Sequence, residues 1–306
     1  MLKRILPNWF VGLVATLILL VNTVIWGALI LLLGIAKLVL PIRLISIALN
    51  WCYGNWCRGN AMALAIGCEQ VHLTISDHVS KNGWYLLVSN HLSWLDIVVL
   101  SSINRLPAPK FFLKDELKYV PFIGSGAWAL GMPFMKRASK EQIAKNPKLK
   151  GMDVERTKAS CQAFRDDPTT IINFVEGTRF TKLKQLKQNS PFRHLLKPKA
   201  GGVAFALEVL SGQLDAVLNT TLVYDSPDHH ICRSFMLGRL KGIYIDVESH
   251  GMHSVPLGNY QEDKAYRVEF QHYVNSLWES KDHKIETYEP TLQFKAVTLH
   301  EEANPL

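Results

Sequence analysis

The chain lacks the features that would place it in several common classes. Its 306 residues hold five cysteines, Cys52, Cys57, Cys68, Cys161 and Cys232, a scattered and odd-numbered set. Their spacing supports neither a disulfide framework nor a zinc site and suits a reducing compartment. His229, His230 and Cys232, or His250 with His253, sit in polar, loop-like stretches and are not taken as metal ligands; no metal and no cofactor is expected. No serine sits in a recognisable nucleophile elbow, so the common covalent-serine design is not indicated. No internal repeat or low-complexity linker divides the chain, and no nucleic-acid motif is recognisable.

Charge is missing from one end and concentrated in the middle. From Ile5 to Ala36 there is no charged residue. As a helix such a run is roughly 48 Å long, against a bilayer hydrocarbon core of about 30 Å. It far exceeds the roughly 7–15 apolar residues of a signal peptide and closes on no convincing cleavage pattern, so a retained anchor is expected. Residues Lys37 to Cys68 carry only Lys37, Arg43 and Arg58 as charges and cluster Trp51, Tyr53 and Trp56. Those rings suit either a membrane interface or the packing under a sheet. Lys3 and Arg4 before the run are balanced by Lys37 and Arg43 after it, so charge alone leaves the orientation open. The chain has a net charge of +8, yet Lys136 to Lys199 holds 16 Lys and Arg against 6 Asp and Glu, an excess of ten. A basic middle on an anchored protein favours anionic headgroups and phosphorylated substrates over nucleic acid. Within it, Lys182, Lys184, Lys187 and Arg193, interleaved with Leu183 and Leu186, read as a loop or short helix resting on a bilayer or as a solvated charge run.

What is present is a chemical motif. Asn90-His91-Leu92-Ser93-Trp94-Leu95-Asp96 follows the apolar run Trp84 to Val88 and sets a histidine five residues before a carboxylate. An imidazole beside a fixed carboxylate can take a proton from an alcohol near neutral pH, because the carboxylate holds the useful tautomer and steadies the imidazolium. Residues five apart on a helix lie about 140° round the axis, so His91 should precede the helix. With Ser93 as N-cap, Asp96 falls in the first turn and can reach back to His91. The same spacing is also a variant capping box, in which Asp96 only satisfies a backbone donor. Ser93, in a cap position, is not favoured as a covalent nucleophile.

Two further blocks follow in order: Gly131-Met132-Pro133-Phe134-Met135-Lys136-Arg137, then Phe174-Val175-Glu176-Gly177-Thr178-Arg179. Read on its own, Thr170 to Phe174 is a buried strand and Glu176 to Arg179 the turn at its carboxyl end, where open α/β sheets bind ligands. Gly177 lets the backbone approach an anion and Arg179 offers a planar fork to phosphate oxygens. Glu176 does not bind phosphate directly; orienting an arginine or a helix amide suits it better.

Together the three blocks resemble those of the glycerophospholipid acyltransferases, especially the 1-acylglycerol-3-phosphate acyltransferases, over roughly residues 70 to 225. The resemblance implies that His91 is the general base and Asp96 its orienting partner. It also implies that Arg137, Glu176, Gly177, Thr178 and Arg179 form the acceptor's phosphate site. The chain departs from the family pattern at Val175, where proline is usual, and at Phe180, where serine is usual. It departs again at Leu218-Asn219-Thr220-Thr221, where asparagine replaces an expected proline.

Strand-like runs fall near 71–75, 84–89, 110–113, 170–174, 217–224 and 242–247. Helical patterns fall at 94–102, 120–130, 153–164, 201–210 and 260–280, with loops at 138–151 and 181–199. This alternation predicts an α/β fold with a mixed, largely parallel central sheet flanked by helices, preceded by a membrane-attachment helix or helix pair. The expected division is an anchor and interfacial region over 1–68, an acyltransferase domain over 69–280 and a polar tail over 281–306. The expected activity is transfer of a fatty acyl group from acyl-CoA or acyl carrier protein to the sn-2 hydroxyl of 1-acylglycerol 3-phosphate, giving phosphatidic acid. The partners are then a lysophospholipid acceptor, the acyl thioester and membrane lipids, at a bacterial inner membrane with the active site on the cytoplasmic side. Trp128, Met132 and Phe134 are candidates for the wall of an acyl groove or for core. The rival readings are a remodelling acyltransferase for another lysophospholipid and a catalytically silent membrane adaptor.

Overall fold

The centre of the molecule is the strand built from the apolar run Tyr85–Ser89 (β2), all five of whose residues are buried. A strand covered on both faces reads as a continuous apolar run, and successive side chains alternate between the two faces. Tyr85 and Leu87 accordingly join one hydrophobic cluster, Leu86 and Val88 the other. This is a computed structural model, which describes residues 6–132, 134–135, 167–260 and 262–288. Arg137, the expected loop 138–151 and the expected helix 153–164 lie outside the described residues.

β2 pairs in parallel with β6 (Thr170–Phe174) on one side and β7 (Ala216–Asp225) on the other. β3 (Pro109–Phe111) extends the sheet beyond β6, in parallel. Beyond β7 lies β8 (Gly242–Gly251), antiparallel to it, and then β1 (Gln70–Ile75), parallel to β8. The order is β1-β8-β7-β2-β6-β3, a mixed and largely parallel sheet of six strands.

One face is covered by α1 (Asn8–Val39), α2 (Arg43–Gly67), α3 (Leu95–Ser101), α4 (Ile123–Ala129) and α7 (Ile231–Met236). The other is covered by α6 (Ala200–Leu210) and α8 (Lys264–Tyr288). The short α5 (Lys182–Lys187) lies within the stretch expected to be a loop, where Thr181 caps it by accepting from the Lys184 amide. On α8, Phe270, Val274 and Trp278 are buried at helical spacing; each such side chain contributes about 1.5–3 kcal/mol of hydrophobic stabilisation.

Several boundaries differ from the sequence expectation for local reasons. The run 110–113 divides, because Leu113–Lys114 (β4) leaves the main sheet to pair with Phe134–Met135 (β5) in a separate two-stranded ribbon. The helix expected over 120–130 is a 3-10 turn at Asp115–Tyr119 followed by α4, with Pro121 between them and Phe122 at a φ of 63°. The residue before a proline is disfavoured in helical conformation, which ends the first piece. The last helix starts at Lys264 rather than 260, where Asp263 accepts from the amides of Ala265 and Tyr266. It also runs past the expected start of the polar tail at 281, since Lys281 and Ile285 continue its buried face.

α1 lies along the domain rather than projecting from it. A Cβ at Gly12 would fall 2.2 Å from the amide nitrogen of Gly238, and one at Gly34 would fall 2.5 Å from Ala129 Cβ. Those two contacts are about 33 Å apart along the helix. Between them Asn22 is buried and donates to the Trp56 carbonyl and to Asn60, which in turn donates to Ser101 on α3. The opposite face of α1 exposes Leu13, Leu17, Leu20, Val24, Leu32 and Leu38. By length and composition, α1 is the one helix among the described residues long and apolar enough to cross a membrane. In α2, Tyr53 is buried and donates to the Pro109 carbonyl, whereas Trp51 is exposed and meets Trp26 edge-on.

Candidate active site

The first and third blocks leave the same edge of the sheet. Ser89 and Phe174 are the last residues of β2 and β6 and are paired in register. His91 and Glu176 therefore each lie two residues beyond the same rung. Asn90 fixes the exit: it is fully buried, and its side chain both donates to the Leu222 carbonyl and accepts from the Leu222 amide, imitating one more strand pairing with β7. The Phe180 amide donates to the His91 carbonyl at 2.7 Å, tying the third block to the first.

His91 Nδ1 lies 2.7 Å from Asp96 Oδ2. An ionised carboxylate only accepts, which assigns the proton to Nδ1 and leaves Nε2 as the acceptor. Asp96 is fully buried and held by three further donors: the amides of Leu92 and Ser93 to Oδ2, and the Tyr224 hydroxyl to Oδ1 at 2.7 Å. The His91 ring stacks on Phe174, with centroids 4.1 Å apart, and its side chain retains 15% exposure. The imidazole is thus held along one edge by Asp96 and on one face by Phe174.

α3 begins at Leu95, with Trp94 rather than Ser93 as the flanking residue. Ser93 still serves the first turn, its hydroxyl accepting from the Leu95 amide at 3.2 Å. Asp96 reaches back to the Ser93 amide as in a capping box and also binds His91 Nδ1.

The third block forms a turn in which Gly177 has a φ of 69°, a conformation only glycine adopts freely. Thr178 is half-buried and Arg179 exposed, with the guanidinium 5.0 Å from the ring centre of Trp94. Two lysines not expected at the site complete it. Lys184 Nζ donates to Thr178 Oγ1 at 2.8 Å and to the Arg179 carbonyl at 2.9 Å. Lys199 Nζ lies 3.4 Å from the place a Cβ would occupy at Gly177. Among the described residues no carboxylate pairs with Arg179, Lys184 or Lys199, so three cations surround one turn. Thr181, the cap that turns Lys184 back towards Thr178, was the available sequence signal.

Glu176 differs from its neighbours. It is fully buried, and neither carboxylate oxygen has a hydrogen-bond partner of good geometry. Burial pushes its pKa up to about 8, opposed by the nearby Leu196 amide, the Trp278 indole and Lys281. Its carboxylate faces the interior. Met132 is buried in the core and Phe134 is half-buried against it, while Trp128 is half-exposed beside Gly34 of α1. Among the described residues no group of three or more His, Cys, Asp or Glu side chains is arranged to hold a metal.

Fold and site together define a class: an α/β sandwich with a histidine–aspartate pair at the carboxyl edge of its sheet, next to a basic turn. The Acyltransferase family's sequence profile matches residues 70–226, and the chain belongs to that family. It is 27% identical over 246 residues to a Saccharomyces cerevisiae protein described as an uncharacterized acyltransferase, an alignment covering 69% of this chain and 60% of the yeast protein. It is 24% identical to 1-acyl-sn-glycerol-3-phosphate acyltransferase 3 of Arabidopsis thaliana, over 86% of this chain and 67% of the plant protein. The chain thus spans between 60% and 67% of the length of these two relatives. Its fold matches the crystal structure of the 1-acyl-sn-glycerophosphate (LPA) acyltransferase PlsC from Thermotoga maritima with a TM-score of 0.55 and 16% identity, covering 90% of this chain and 96% of that one.

Proposed function

We propose that the protein transfers a fatty acyl group from an acyl-CoA or acyl carrier protein thioester to the sn-2 hydroxyl of 1-acylglycerol 3-phosphate, forming phosphatidic acid. The observation that carries this reading is the His91–Asp96 pair lying beside a turn ringed by Arg179, Lys184 and Lys199. His91 Nε2 takes the hydroxyl proton as the oxygen attacks the thioester carbonyl carbon. Asp96 steadies the imidazolium. Collapse of the tetrahedral intermediate breaks the carbon–sulfur bond, and the imidazolium returns its proton to the departing thiolate. No covalent acyl-enzyme is needed, because the acceptor hydroxyl is itself the nucleophile.

The turn binds the acceptor phosphate. Gly177 admits the anion to the backbone, and the cations around it favour the doubly charged phosphomonoester over a zwitterionic headgroup. Arg137 joins them in this reading. Arg179 rests on Trp94 and releases from it to meet phosphate at little cost, since an exposed cation–π contact is worth about 0.5–1 kcal/mol. Attachment is through the outer apolar face of α1, which lies in one leaflet because the helix is packed on the domain at Gly12 and at Gly34. The active site faces the cytoplasm, where acyl thioesters are made.

A second reading, the same transfer to another lysophospholipid, is favoured by Val175, Phe180 and Asn219 at positions where the family usually differs. Acceptor competition decides between them. With one acyl donor and equal amounts of 1-acylglycerol 3-phosphate and lysophospholipids with phosphodiester headgroups, the phosphomonoester is expected to take most of the label. Preferential labelling of a phosphodiester acceptor would transfer the assignment to the second reading.

A further inference from the structure

Leu183 and Leu186, at 77% and 58% exposure, stand next to the anion turn, three residues apart and so on one face of α5. A fixed platform carries them. Thr181 caps the helix, Gln185 is buried on its inner side and donates to the Phe192 and Arg193 carbonyls, and Lys184 is tied to Thr178 and to the Arg179 carbonyl. Across the turn, Trp94 is 48% exposed and carries the Arg179 guanidinium on its ring. Single exposed apolar side chains are ordinary on a protein surface, but three large ones around one basic turn are a patch. Its frame is cationic. Lys182 and Lys187 flank the leucines and are exposed, and Gly177 to Lys199 contains no Asp or Glu. The acids of α8 that approach this stretch, Asp282 and Glu286, meet it at Arg193 and His194. Exposed leucines framed by lysines fit the surface of an anionic bilayer. Direct contacts also join the patch to α1: Cys232 of α7 meets the Ser93 hydroxyl beside Trp94 at 3.0 Å, and Gly238, just past α7, is where Gly12 of α1 packs.

We propose that α5 is a second membrane contact: Leu183 and Leu186 enter the acyl boundary of an anionic leaflet, while Lys182 and Lys187 meet its headgroups. α1 attaches the protein, and α5 sets the depth and tilt of the site on the leaflet. The depths agree. The phosphate of a lysophospholipid lies at headgroup level, so a turn that binds it brings the neighbouring leucines to the boundary where apolar helix faces sink about 5–10 Å. A soluble protein partner would have no such reason to sit at the acceptor's phosphate. The proposal rests on the reading of this turn as the site of a membrane lysophospholipid.

The test presents the acceptor to the full-length protein in two forms, with acyl-CoA as donor and a melting curve for each variant. One is long-chain 1-acylglycerol 3-phosphate in vesicles of phosphatidylcholine, with or without phosphatidylglycerol; the other is its short-chain, water-soluble form, offered to protein in dilute detergent. Leu183→Asp with Leu186→Asp is expected to lower kcat/KM for the vesicle-borne acceptor by about tenfold or more and to leave the soluble acceptor within about twofold of wild type. Lys182→Ser with Lys187→Ser should remove most of the stimulation that phosphatidylglycerol gives the wild type, about fivefold or more. An undiminished rate on vesicles, or equal losses with both forms of acceptor, would overturn the proposal. So would a loss confined to acyl carrier protein as donor and alike for both acceptors, which would make α5 a docking site for that carrier. If the aspartate variant does not fold, the lysine variant carries the test alone: stimulation equal to that of the wild type is decisive against the contact. If the wild type prefers another lysophospholipid, the comparison is made with the long- and short-chain forms of that lipid, so an error in acceptor identity is distinguishable from an error about α5.

Discussion

At the scale of single residues, the site depends on how firmly Asp96 is held. Three protein donors besides His91 converge on its two oxygens, and one of them, the Tyr224 hydroxyl, comes from the strand next to β2. Tyr224→Phe removes that donor without changing the ring; kcat is expected to fall about tenfold, with both KM values nearly unchanged, in steady-state assays. Glu176 carries a separate prediction about pH. Its pKa in the fold is about 8 against an ordinary value of 4.5. Between those values the folded state holds a proton that the unfolded state has lost, so this group's contribution to stability declines as pH rises through the window. Glu176→Gln removes that contribution, and its melting temperature should fall less than that of the wild type between about pH 5 and 8. A decline equal to that of the wild type would remove Glu176 as its source. His91 and Asp96 were legible from their spacing, whereas Tyr224, Lys184 and Lys199 were not, because strand neighbours and loop returns join residues far apart in sequence.

At the scale of elements, periodicity located the strands and helices, and local chemistry moved their ends. The apolar runs of Tyr85 to Val88 and Thr170 to Phe174 are strong signals, and both strands lie where expected. The break at Pro121 and the cap at Asp263 shifted helix boundaries by a few residues. The polar letters after residue 280 concealed a helix face, since Lys281 belongs to the interior only through partners on other elements. α1 offers a direct test. Gly34→Val forces a side chain into Ala129 and should lower the melting temperature, by roughly 1–3 kcal/mol of stability. Leu17→Glu with Leu20→Glu charges only the exposed face; thermal stability in detergent should hold while co-sedimentation with liposomes falls. Unchanged co-sedimentation would remove this face from the attachment.

At the scale of the whole molecule, one edge of the sheet collects everything the proposed chemistry needs. The parallel pairing of β2 with β6 brings the histidine segment and the basic turn side by side, and β7 supplies Tyr224 and the Thr220 carbonyl that anchors Lys281. α1 adds an exposed apolar surface to the same molecule; in the proposed function the acceptor is drawn from the bilayer there while a thioester arrives from water. The central claim is direct transfer with His91 as the base. Its most direct measurement is incorporation of labelled acyl thioester into 1-acylglycerol 3-phosphate by purified protein, wild type against His91→Ala, with a melting curve for each. The account predicts labelled phosphatidic acid from the wild type and a loss of about 100-fold or more in folded His91→Ala. Equal transfer by both would contradict it.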